Sequence, residues 1–154
     1  MSTARVFQIE NRLAKLARSA GGKTIDEALR AAEARVASVR DRCVAALAGK
    51  ADRLAVHAKA AKGEREGPDI NGLYDVSNAI FGVAGVYGLN ALAEAACSLC
   101  DLVDRTRSGE EINWSAIDVH VDGIRLLATG ETAGSESILA GLRRVHARFA
   151  PPSN

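Results

Sequence analysis

The chain has 154 residues, and twenty basic side chains against nineteen acidic ones leave a net charge of +1. That length fits one domain with a real core, and a balance with no block of like charge argues against nucleic acid or membrane as partner. Three cysteines, an odd and sparse set, fit a reducing cytoplasm better than a disulfide scaffold.

Alanine is abundant, proline is rare and β-branched residues form no alternating runs, so an all-α fold is expected. Val6, Ile9, Leu13 and Leu16 recur at helical spacing within a first segment, Arg5 to Ser19, which Ala20-Gly21-Gly22 ends. Met1 to Ala20 alternates charge with apolar residues, which predicts no secretory leader. Thr24-Ile25-Asp26-Glu27 is a capping box. It opens a long helix to about Lys62, with Ile25, Leu29, Ala32, Val36, Val39, Cys43, Leu47 and Leu54 along one side. Gly49 in its middle costs about 1 kcal/mol relative to alanine.

Gly63 to Pro68 is a break, and Pro68 or Asp69 starts the next helix, with Leu73, Val76, Ile80 and Val83 inward. Gly88 turns the chain into a helix from about Leu89 to Arg105, carrying Leu92, Leu99, Leu102 and Val103, and Ser108-Gly109 closes it. Asn113 caps a helix with Trp114, Ile117, Val121, Ile124 and Leu127 inside. After a Thr129-to-Gly134 turn, Ser135 caps a last helix through Ile138, Leu142, Val145 and Phe149, stopped by Pro151 and Pro152. The uncharged stretch Val76 to Ala93 contains three glycines and two asparagines, too polar for a spanning helix. Helices at roughly 24–62, 69–86, 89–105 and 113–128 with short loops predict an antiparallel four-helix bundle. Residues 1–22 are then an N-terminal helical extension, 23–130 the bundle, and 131–154 a C-terminal helix and tail.

The segment Leu73-Tyr74-Asp75-Val76-Ser77-Asn78-Ala79-Ile80-Phe81-Gly82-Val83-Ala84-Gly85-Val86-Tyr87-Gly88-Leu89 carries a more specific signal. It resembles the central helix of bacterial histidine-phosphotransfer (Hpt) domains, whose pattern is His-x-x-Lys-Gly, a second glycine six residues on, then an apolar helix. Gly82 and Gly88 match the two glycines, whereas Asn78 stands for the histidine and Phe81 for the lysine. The similarity is strongest from Gly72 to Leu127. It continues through Cys97-Ser98-Leu99-Cys100-Asp101-Leu102 and His120-Val121-Asp122-Gly123-Ile124-Arg125. Arg30-Ala31-Ala32-Glu33-Ala34 is similar but far less specific.

The resemblance implies an Hpt-like bundle, with helices added at both ends, and a face that meets the receiver domain of a response regulator, or a histidine kinase. In the family a solvent-facing imidazole attacks an aspartyl phosphate, a lysine one turn on balances charge, and glycine keeps the face low for the receiver. An asparagine amide has its lone pair delocalised into the carbonyl, and Phe81 has no charge for a phosphoryl group. Phosphotransfer at Asn78 is therefore expected to be absent. What remains is a docking face of Asn78, Phe81, Gly82 and Gly85, where an aromatic lies beside small residues.

Other residues carry weaker signals. Counting back from the intervening loop places His57 near the height of Asn78, so His57 is an alternative phospho-acceptor with Lys59 or Lys62 nearby. An exposed helix histidine is the plainer reading of it. His120 reads as a packed ring hydrogen-bonded to a neighbour, and His146 as part of a solvated, arginine-rich face. Cys97 and Cys100 form a C-x-x-C without a second pair, which reads as core packing and not as a metal or redox site. Gly82, Gly85 and Gly88 follow no strand and precede no lysine-serine pair, so they make no nucleotide loop. Asp75, Glu94 and Asp101 read as solvent-facing charges.

The leading expectation is thus a cytoplasmic, non-enzymatic, phosphotransfer-incompetent Hpt-like regulator of a two-component pathway, with no cofactor and no metal. One alternative is an active phosphotransfer protein using His57. Another is a structural or oligomerising helical bundle with no tie to phosphorelays. Partner identity, the sign of regulation, the oligomeric state, whether Phe81 points outward and whether His57 replaces the missing histidine stay open at this stage.

Overall fold

The structure, a computed structural model, describes residues 22–62, 68–108, 111–129 and 134–149. The expected first helix, the Gly63-to-Gly67 break, most of the Thr129-to-Gly134 turn and the Pro151-Pro152 stop lie outside the described residues. The described chain is all-helical, with no strand: α1 (Ile25–Ala60), α2 (Pro68–Val86), α3 (Asn90–Arg107), α4 (Trp114–Ala128) and α5 (Ser135–Phe149). Among the described residues no helix is long and apolar enough to cross a membrane.

Local chemistry sets the helix ends. The Thr24 amide donates to Glu27 Oε2 at 2.8 Å and the Glu27 amide donates to Thr24 Oγ1 at 3.2 Å, closing the capping box that starts α1. The Ala116 amide donates to Asn113 Oδ1 at 2.9 Å at the start of α4. Between α2 and α3, Gly88 has φ +73°, the Leu89 amide donates to the Ala84 carbonyl and the Gly88 amide to the Gly85 carbonyl. This is the paired bonding of a left-handed glycine C-cap, and it satisfies carbonyls that the helix end would otherwise leave bare. At α5 the expected cap moves by one residue. Gly134, at φ +87°, offers the carbonyl that accepts from the Ile138 amide, and Ser135 is already helical.

Two compact units divide the chain, Met1–Val39 and Arg40–Asn154. Within the first, the described residues 22–39 include no buried side chain. Ile25 is 86% and Leu29 57% exposed, so the inward stripe expected from Ile25 to Val36 is corrected. Helical spacing selects a side of the helix, but only a neighbour can bury it.

In the second unit, Leu47 and Leu54 of α1, Leu73 and Ile80 of α2, Leu99 and Val103 of α3, Ile117 and Ile124 of α4, and Leu142 of α5 form one buried cluster. Contacts give the helix directions. His57 of α1 meets Asp69 of α2, while Cys43 meets Tyr87, so these helices run antiparallel. The Ser77 hydroxyl donates to the Ala96 carbonyl at 2.7 Å and the Cys100 thiol lies 3.9 Å from the Tyr74 carbonyl, making α2 and α3 antiparallel. Ion pairs Lys62–Asp118 and Arg125–Asp52 do the same for α1 and α4. Leu142 sits over Gly123, where an added Cβ would come within 2.8 Å of the leucine Cδ1, and α5 is thereby seated on α4.

Candidate docking face on α2

Positions three and four apart share one side of a helix. In α2 this rule separates two sides. Leu73, Val76, Ser77, Ile80 and Ala84 are buried. Asn78, Phe81, Gly82 and Gly85 are all exposed, and they are the four residues the sequence singled out. Phe81 is 42% exposed, half in contact with the protein and half open to a partner. An added Cβ at Gly82 or at Gly85 would meet nothing within 4 Å, and neither glycine has a positive φ. Neither packing nor backbone conformation therefore requires glycine there, although each costs about 1 kcal/mol relative to alanine inside a helix. Their effect is on the outer surface, which they leave low beside an aromatic ring.

His57 is not at this face, and two expectations about it are corrected. It is level with Gly72, six positions before Asn78 in the sequence, or about 9 Å along the helix axis. It is also half-buried: Nδ1 lies 3.0 Å from Asp69 Oδ1, and the ring packs where an added Cβ on Gly72 would come within 2.5 Å. A carboxylate only accepts, so Nδ1 carries the proton and Nε2 keeps the lone pair of a neutral ring. Lys62, expected near His57, is tied to Asp118 at 2.8 Å. His57 is close to the end of α1 and Gly72 is close to the start of α2, so the two are level near the connecting loop, well before Asn78.

The remaining candidates resolve as follows. His120 is fully buried, with Nδ1 2.8 Å from the Ala116 carbonyl, as a packed ring should be. His146 is not solvated: it is half-buried, its ring stands edge-on to His120 at 6.3 Å between centroids, and its Nδ1 is buried. Burial pushes the His120 imidazole below its ordinary pKa, with the neighbouring His146 adding to the effect. Burial also raises the Cys97 and Cys100 thiols, keeping both protonated and unreactive. Glu94 is no free surface charge. Arg143 clamps it from α5 at 2.5 and 2.7 Å, and that guanidinium holds the carboxyl below the usual range. Asp75 and Asp101 are exposed as expected. No cluster of three metal-ligating side chains occurs among the described residues.

Sequence reasoning missed two open clefts. One, of about 700 Å³, is bordered by Leu102, Arg105, Trp114, Ile117 and Phe149. The other, of about 530 Å³, lies between α1 and α4 beside Asp52, Arg125 and Leu126. Neither includes a residue of α2, and their walls come from helix ends and helix pairs distant in sequence, so no local pattern announces them. The chain matches no protein-family profile, no curated protein and no solved structure.

Proposed function

We propose that the chain is a degenerate Hpt-like protein that binds a receiver domain, or its kinase, and carries no phosphate on α2. In this reading α1 to α4 are an Hpt-like four-helix bundle, α5 is an addition, and the face of Asn78, Phe81, Gly82 and Gly85 is the docking surface. One observation carries the proposal: a half-exposed phenylalanine stands beside Gly82 and one turn before Gly85, two glycines that the interior does not require. A flat apolar strip of this kind favours close approach of another helix or loop. The Asn78 amide supplies a hydrogen-bonding group at its centre but no nucleophile. Binding without transfer would sequester the partner or block its phosphorylation.

The test is a panel of phosphorylated receiver domains and of histidine kinases from the same organism, with binding and phosphate transfer followed on one sample. Binding of a receiver without transfer, lost in Phe81→Asp while helicity persists, supports the reading. Neither binding nor transfer sinks it and leaves a structural bundle.

A second reading has its own observation. The Asp69 carboxylate orients His57 and leaves its Nε2 lone pair for attack on phosphorus. That reading requires acid-labile phosphate on the protein that disappears in His57→Ala.

A further inference from the structure

Two contacts fix the register of α1 against α2. His57 is level with Gly72 and Cys43 with Tyr87. Lys50 lies midway between Cys43 and His57, at intervals of seven residues, so it is on the same side of α1 as both. Midway between Gly72 and Tyr87 on α2 are Ala79 and Ile80, which places Lys50 level with them, next to Asn78. Arg53, one turn further along α1, is its surface neighbour and is level with Val76 and Ser77. Lys50 is half-buried and Arg53 exposed. Among the described residues neither has an ion pair, while Asp52, between them in sequence, is turned toward α4 and bonded to Arg125. Asp75 is the one acidic side chain on the exposed side of α2 at this height.

On the other flank of the strip, Tyr74 and Ser77 mark the side of α2 that meets α3, and Phe81 follows them at helical spacing. The face therefore has an aromatic on its α3 flank, two cations on its α1 flank and glycines between. Gly49 of α1 is also exposed with open space at its Cβ, extending the low surface on the cationic side.

We infer that the docking element of a receiver domain presents acidic side chains to Lys50 and Arg53 and an apolar side chain to Phe81. This rests on the docking reading above. A half-buried lysine with no ion pair among the described residues is available for such a contact.

The experiment measures affinity for the receiver-domain panel with the wild-type chain, Lys50→Glu/Arg53→Glu, Lys50→Ala/Arg53→Ala and Phe81→Asp, at low and high salt. Charge reversal is expected to weaken binding by about tenfold or more at low salt, truncation by less, and the difference to shrink as salt screens it. Helicity and thermal unfolding of each variant are measured alongside, because Lys50 is half-buried. Binding that Phe81→Asp abolishes but charge reversal leaves within twofold at both salts overturns this inference alone. No binding of the wild-type chain to any receiver overturns this inference, and no binding to any receiver or kinase overturns the docking reading with it.

Discussion

The two sides of α2 are made from the same helix, yet they obey different rules. Inward, Leu73, Ile80 and Ala84 are fully buried, and the one polar group there, the Ser77 hydroxyl, is satisfied by the Ala96 carbonyl. Outward, Gly82 and Gly85 have open space where a side chain would fit, and Phe81 stays half exposed. The inner side is set by packing, where each atom has a neighbour that depends on it. The outer side departs from what helix stability favours, replacing alanine by glycine and polar residues by phenylalanine. Such departures concentrate where a surface has work other than folding.

Substitutions should separate the two sides by size. Ile80→Ala is expected to destabilise by about 2–5 kcal/mol through lost burial and a residual cavity, read from urea unfolding. Gly123→Val, at the seat of Leu142, should follow at about 1–3 kcal/mol, as overpacking forces α5 away from α4. Ser77→Ala should cost about 1 kcal/mol for the lost hydrogen bond. If Ser77→Ala cost nothing, the polar bridge between α2 and α3 would contribute no more than its methylene.

A pH effect comes from the α4–α5 contact. The folded state lowers the His120 pKa, so the unfolded chain takes up the proton more readily. Stability from this residue is complete above the unfolded value of about 6.5 and declines as pH falls below it toward the folded value. Unfolding midpoints at neutral and mildly acidic pH should show the decline, and His120→Gln should reduce it. For Phe81→Asp the stability change is expected to be about 1 kcal/mol, from the half of the ring that packs on the protein, measured by thermal unfolding. A loss as large as that of Ile80→Ala would make Phe81 a core residue and erase the distinction between the sides.

Much of the architecture was legible in local pattern. The capping box at Thr24, the Asn113 cap and the Gly88 turn were each read from a few adjacent residues, because each is closed by groups within a turn of one another. The apolar positions of α3, Leu92, Leu99, Leu102 and Val103, are buried as their spacing implied. Whether Phe81 points outward could not be read from the sequence, and the structure shows it exposed together with Asn78, Gly82 and Gly85. Their exposure supports the docking proposal, whose partner is a matter for the binding experiment. What local pattern misjudged involved a second helix: the height of His57, the burial of His146, and the engagement of Lys62 and Glu94. Lys50 and Arg53 were passed over because nothing nearby in sequence relates them to Asn78.

The amino-acid sequence by itself determined that the described chain is helical, where most of its helices begin and end, and which side of α2 carries Asn78, since propensity, capping and periodicity act within a few residues. Only the tertiary structure decided which apolar stripes are covered and which polar groups meet. Ile25 and Ile80 are both apolar residues at core-like spacing, but one is exposed and the other fully buried. Burial is a property of pairs of surfaces, and it depends on a neighbour that the helix does not itself encode.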